Sequence, residues 1–322
     1  MRRVLPAISL FFIAPLVAEF LLGNLPITVL PALVILAPMY GGGALLIRET
    51  VRRTGRGWPS ILMLGLAYGL FEEAFTTQSL FNPNYLHLNM GLLKPAYIHA
   101  LGIGAWWTVF VLTIHAVWSI SVSIGLAEAL VPDRSTTPWL GRKGLIVTVV
   151  LFLVGAAGST LITLKGDHFV ASDTQLASAA VLCAALIALA SAFHVRRSSR
   201  DPGYVPSPWI VGVSALVAGA VFLIVPNAWG WWAVALYLVL DCVATGAVFQ
   251  WSRRRGWELP HRLALAAGAA FAYGLHAFTE HPVVGKNMTV ARIGNVVFLL
   301  GLVVLVAVAW QRINRYKPEV PG

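Results

Sequence analysis

The sequence predicts an all-α, polytopic integral membrane protein of about ten transmembrane helices, with both termini cytoplasmic. Three observations carry this. Of 322 residues, 58% are hydrophobic and only 11% are charged, and the mean hydropathy is +0.78. Apolar runs of about 20 residues, long enough to cross a bilayer core, recur along almost the whole chain. Basic residues gather at alternate ends of those runs.

Runs and breakers place the spans at 4–23, 26–48, 58–81, 104–131, 144–164, 175–195, 208–226, 228–251, 259–281 and 290–311, forming one transmembrane domain over 1–322. The third ends at the turn-like "NPNY", the fourth before "VPDRS", and the seventh meets the eighth across "PNAWG". With a cytoplasmic N-terminus, the even-numbered connections are "RETVRRTGRGW", "PDRSTTPWLGRKG", "VRRSSRDPG" and "RRRGWELPHR". Together with Arg2, Arg3 and the "QRINRYK" tail they hold all of the 23 basic residues except Lys94, Lys165, Lys286 and Arg292. One span more or fewer would scramble this asymmetry. It also accounts for the net charge of +10 without nucleic acid as a partner. The basic start followed by an apolar stretch resembles a signal peptide, but cleavage would break the parity, so an uncleaved first helix is expected. Few lysines against many arginines, with abundant Ala, Gly and Trp, fit a GC-rich bacterial source, hence the bacterial cytoplasmic (inner) membrane.

The two cysteines, Cys183 and Cys242, fall inside apolar runs and define no disulfide framework. Trp106, Trp107, Trp229, Trp231 and Trp232 read as an interfacial aromatic belt. His87, His99, His168, His194 and His261 fall in loops or at helix ends and read as solvated.

Ionisable groups inside spans are costly and therefore informative. Glu72 and Glu73 lie in the third span, His115 in the fourth, Asp241 in the eighth, His276 and Glu280 in the ninth, and Asn295 in the tenth. At ~1.5 Å rise per residue, Glu72, Glu73, His115, His276 and Asn295 fall at similar depth in the outer half of the bilayer, as one buried polar site. Adjacent glutamates point about 100° apart on an α-helix, so one is expected to face a cavity while the other bonds a neighbouring helix. The pair is expected to share a proton. "AYGL" occurs at Ala67–Leu70 and again at Ala272–Leu275, with a glycine that would admit a second backbone closely. Walker, GxSxG and HExxH motifs do not occur.

A glutamate pair followed by histidines on later helices resembles the CPBP family of CAAX-processing and bacteriocin-processing intramembrane endopeptidases, whose motifs are EExxxR, FxxxH and HxxxN or HxxxD. Glu72-Glu73 match the first, His115 the second and His276 the third, with Glu280 in the Asn/Asp place; Thr77 and Val111 stand where Arg and Phe would be. The resemblance implies a hydrolase in which glutamate activates water and His and Asn groups stabilise the intermediate. The expected catalytic set is Glu72, Glu73, His115, His276 and Asn295, with Glu280 and Asp241 as additional candidates. A metal-free site is favoured; a divalent metal, if held, would take Glu73, His115 and His276. The expected partners are membrane lipid and a membrane-embedded peptide or small-molecule substrate. A proton-coupled small-molecule transporter using the same carboxylates is the alternative, and a non-catalytic membrane scaffold or regulator is a third.

Overall fold

The computed structural model describes residues 4–192, 201–285 and 287–316. Arg2, Arg3, His194, Lys286 and the basic residues of 195–200 lie outside the described residues. Helix is found over each of the ten expected runs. Helix α1 is Leu5–Leu21, α2 Ile27–Arg53, and α3 Trp58–Phe71 continued by Glu72–Thr76; α4 is Ala105–Ala129, α5 Arg142–Asp167 and α6 Asp173–Ala192. Helix α7 is Pro208–Ile224, α8 Trp231–Ser252, α9 Leu259–His276 and α10 Met288–Arg315. Six of them (α2, α4, α5, α6, α8 and α10) are long and apolar enough to cross a membrane. A short hairpin of β1 (Tyr97–Ile98) and β2 (Ile103–Gly104) precedes α4.

Burial sorts the helices into a core and a coat. The most apolar stretch of α4 is 67% buried and that of α2 50%, against 11% for α6 and 17% for α5 and α8. Helix α4 is therefore the axis of the bundle, while α5, α6 and α8 offer apolar side chains outward. Helices α3 and α4 pack through the glycines of "GLAYG". A Cβ on Gly65 would meet Ala116 Cα at 3.1 Å, and one on Gly69 would meet His115 Cβ at 2.8 Å. Small residues four apart let two helices approach in this way, so the first "AYGL" seats His115 directly against α3. In the second copy, Gly274 faces the side chains of Leu299 and Leu21 instead. Gly69→Val is expected to drive α3 and α4 apart and lower stability by ~1–3 kcal/mol through overpacking. A chemical-unfolding midpoint in detergent equal to wild type would refute this.

Aromatic residues fill the space between α4 and helices α7 to α9. Trp118 stacks on Tyr273 (4.6 Å, 4°) and donates its indole N–H to Ala269 O at 2.7 Å, while Phe222 packs on Tyr237 at 4.4 Å. Trp106 belongs to this core, stacked on Phe110 at 5.4 Å and 9% exposed, whereas Trp229, Trp231 and Trp232 are exposed. The expected aromatic belt thus splits, because Trp106 lies on the buried helix α4.

Helix α2 runs one turn past its expected end at 48. In "RETVRR" Arg48 and Glu49 are buried rather than solvated, Arg52 is half-buried and Arg53 is exposed. Arg48 and Glu49 are fully buried and paired at 2.9 Å. Arg48 Nε also donates to Glu128 at 3.0 Å, and its Nη2 donates to the carbonyls of Arg134, Ser135 and Thr137. Its guanidinium lies 3.2 Å over the Trp139 ring. Arg52 grips both oxygens of Glu128, and Glu49 accepts the backbone N–H of Trp139 and Leu140. Two arginines and two carboxylates thus clamp the 131–140 connection onto α2 and α4.

At the opposite end, α3 stops at Thr76 rather than 81, because Gln78 takes a left-handed conformation (φ 54°) and turns the chain back. The following loop is tied to α5: Asn82 donates to Asp167 at 2.7 Å, as does the Leu86 N–H at 3.0 Å. Helix α9 likewise ends at His276 rather than 281. His261 is not solvated: its Nδ1 caps Glu258 N–H at 3.1 Å, and its Nε2 donates to Pro206 O at 3.1 Å.

Candidate functional site

Four helices carry a π-helical turn: Leu16–Leu21 in α1, Ala37–Gly41 in α2, Glu72–Thr76 in α3 and His115–Val122 in α4. Pro15 abuts the first and Pro38 lies in the second. Proline has no N–H to give the preceding turn, which favours a widened ladder there. The third closes with Thr77 N–H donating to Glu72 O at 2.8 Å, five residues back. Each turn contributes to one cluster: Glu19 from α1, Tyr40 from α2, Glu72 and Glu73 from α3, and His115 and Ser119 from α4.

His115 is the hub, 5% exposed, with Glu72 at 2% and Glu73 at 6%. Its Nε2 lies 2.8 Å from Glu73 Oε1 and its Nδ1 lies 3.3 Å from Glu72 Oε2. Both glutamates therefore meet one imidazole, one at each nitrogen. The expectation that they would face different partners is corrected: a flat ring with two nitrogens reaches both. Ser119 Oγ is also 3.3 Å from Nδ1. The Tyr40 ring stacks on the imidazole (6.0 Å, 17°), and Tyr68 meets it edge-on at 6.0 Å.

The two carboxylates are held unequally. Glu73 Oε2 accepts from Thr77 Oγ1 at 2.9 Å and from Ser79 Oγ, whose oxygen accepts the indole N–H of Trp107 at 2.9 Å. With His115 on its other oxygen, Glu73 is fixed on every side. Glu72 Oε2 is buried and has no hydrogen-bond partner, and neither has the Tyr68 hydroxyl. Glu19 extends the cluster, accepting from Tyr40 O–H at 2.6 Å and from Asn24 at 3.2 Å. Sequence reasoning passed over Glu19, although an acidic residue inside the first span with no basic neighbour was the same signal that marked Glu72.

The remaining candidates do not join. His276 Nε2 pairs with Glu280 at 2.6 Å on the same partly exposed helix end. Asn295 donates to Ala277 O at 2.7 Å and so ties α10 to the end of α9. Asp241 accepts from Thr113 Oγ1 at 2.8 Å, joining α8 to α4. The reason is the packing of α9. Its small residues lie on the α7 backbone, where a Cβ on Gly268 would collide with Gly212 O, and its Tyr273 occupies the face toward Trp118. His276 is left at the terminus. Among the described residues, one group of three potential metal ligands is found, Glu72, Glu73 and His115, with ligand atoms within 4.8 Å of one another. Glu72 stands where the sequence placed His276.

Fold and site together define a multi-pass helical membrane protein with a buried carboxylate–imidazole centre. The chain belongs to an uncharacterized membrane protein family, whose model matches residues 8–315. That match corrects the resemblance to the CPBP endopeptidases, since it names a different family over nearly the whole chain. Comparison with curated proteins and with solved structures gives no match.

Proposed function

We propose that the protein crosses the bacterial cytoplasmic membrane ten times, with both termini cytoplasmic, and acts as a membrane-embedded hydrolase on a peptide or small molecule carried in the bilayer. The observation that carries the reading is the unequal anchoring of the two glutamates. Glu73, immobilised by His115, Thr77 and Ser79, orients the imidazole. Glu72, with an oxygen free of hydrogen bonds, takes a proton from water, whose oxygen attacks the substrate carbonyl. That proton then passes to the leaving group. His115, in contact with both carboxylates, steadies the developing charge. General-base catalysis needs a group able to take the proton, held in reach of the water it activates, and Glu72 beside the fixed Glu73–His115 pair meets that requirement. The test is hydrolysis of a panel of fluorogenic peptide and ester substrates by the protein in nanodiscs, comparing wild type with Glu72→Gln. Absence of turnover across the panel by wild type would refute it.

A second reading rests on Glu19. The Tyr40–Glu19–Asn24 chain adds a third carboxylate beside the Glu–His–Glu group, the kind of relay a proton-coupled transporter uses. This reading expects a pH gradient across proteoliposomes to collapse when substrate is added, and the collapse to be lost in Glu19→Gln.

A further inference from the structure

We propose that Glu72, Glu73 and His115 bind a single divalent transition-metal ion of the zinc type, one oxygen from each carboxylate and one nitrogen from the ring. The inference rests on the hydrolase reading and deepens it by naming a cofactor for the same site: one Glu72 oxygen binds the ion and the other takes the proton from water.

The argument starts from the donor set. His115 has a carboxylate oxygen close to each ring nitrogen, Glu73 at 2.8 Å and Glu72 at 3.3 Å, and the nearer oxygen of Glu72 makes no hydrogen bond and is free to take a ligand. Charge balance argues for a doubly charged cation. In the protonation states that metal ligands take, two ionised glutamates and a neutral histidine, the cluster carries −2, and its ion pairs among the described residues are those with His115. Burying such a charge without a counter-ion is strongly unfavourable, and one divalent ion cancels it. The spacing fits as well. Zinc–ligand bonds of ~2.0–2.2 Å set ligand–ligand edges of about 3.3–3.5 Å in a tetrahedron, and the three donor atoms already lie within 4.8 Å of one another.

The Tyr68 hydroxyl is buried, makes no hydrogen bond of good geometry and interacts with Glu72; a metal-bound water would be a partner of the right kind. Glu73 has its outer oxygen held by Thr77 and Ser79, the supporting shell that orients metal-ligating carboxylates. Three protein ligands leave a fourth position for water, the pattern of catalytic rather than structural zinc. Water in that position ionises near neutral pH.

The full-length protein in nanodiscs, stripped with chelator, is dialysed against Zn²⁺ and its metal content measured by mass spectrometry. One Zn²⁺ per chain is expected, with affinity reduced at least 10-fold in Glu72→Gln and in His115→Gln. Thr77→Val, which removes only a supporting bond, is expected to weaken binding by ~10-fold. Co²⁺ substitution should give the visible absorption of a four-coordinate site in wild type and lose it in both ligand variants, with size-exclusion profiles showing that each variant folds. No metal retained, or metal content unchanged across folded variants, would overturn the proposal. Chelator-stripped protein that still hydrolyses substrate would sink the metal and leave the water-activation reading standing. Zinc binding without hydrolysis of any substrate would do the reverse.

Discussion

Arg48→Ala is expected to destabilise the protein by about 3–5 kcal/mol, measured as a fall in the unfolding midpoint in a mixed-micelle denaturant titration. Arg48 is fully buried and satisfies Glu49, Glu128 and three backbone carbonyls at once. Removing it leaves buried Glu128 with Arg52 alone and buried Glu49 with Arg53 and two backbone N–H groups, and frees the 131–140 connection from three hydrogen bonds. Arg48→Lys is expected to recover little, because an ammonium on a flexible stem cannot reproduce the planar fork that spans both glutamates and the carbonyls. Glu128→Gln should cost less, since the amide oxygen still accepts from Arg48 and Arg52. A midpoint within about 0.5 kcal/mol of wild type, the ordinary range for a surface change, would show that this cluster is not what holds the connection.

Glu72→Gln is expected to lower turnover ~10²–10⁴-fold, the range of a positioned general base, with little change in stability. The amide keeps the shape of the side chain and removes its ability to take a proton. Glu73→Gln should behave differently. Its carboxylate receives His115, Thr77 and Ser79, so an amide places an NH₂ against a donor and perturbs both stability and activity. The contrast between neighbouring residues is the informative part. Equal losses of stability in the two variants would argue that both glutamates only tie α3 to α4.

Much of the bundle was legible in the sequence because crossing a bilayer imposes length and hydropathy on the helices that do so: each of the ten expected runs carries helix, and six are long and apolar enough to cross a membrane. The ends were read less well wherever polar residues were taken as solvated. "RETVRR" looked like a flank, yet Arg48 and Glu49 are among the most buried residues, since ion pairing satisfied what water otherwise would. Likewise Gln78 ends α3 five residues before the apolar pattern does. At the site, Glu72, Glu73 and His115 were readable from the cost of intramembrane charge alone. His276 and Asn295 were misplaced because depth along the membrane normal follows from sequence whereas lateral position does not. His276 was expected at the depth of His115 but sits at the end of a helix packed on α7. The π turns left no trace in an apolar pattern read at 3.6 residues per turn, and with them Glu19 and Tyr40 escaped notice.

Those turns make the centre sensitive to chain length in a way that composition is not. A π turn amounts to one extra residue threaded into an α-helix, and an α-helix advances about 100° per residue. Excising Ala74 would let α3 close into an unbroken α-helix of the same hydropathy, with the residues on either side kept near their places while those inside the turn, Glu73 among them, lose the widened geometry that aims them. The helix would survive and the junction of Glu73 with Thr77 and Ser79 would not. By the same logic the site could have arisen through single-codon insertions into helices already packed in the bundle, and single-codon deletions could erase it without disturbing that packing.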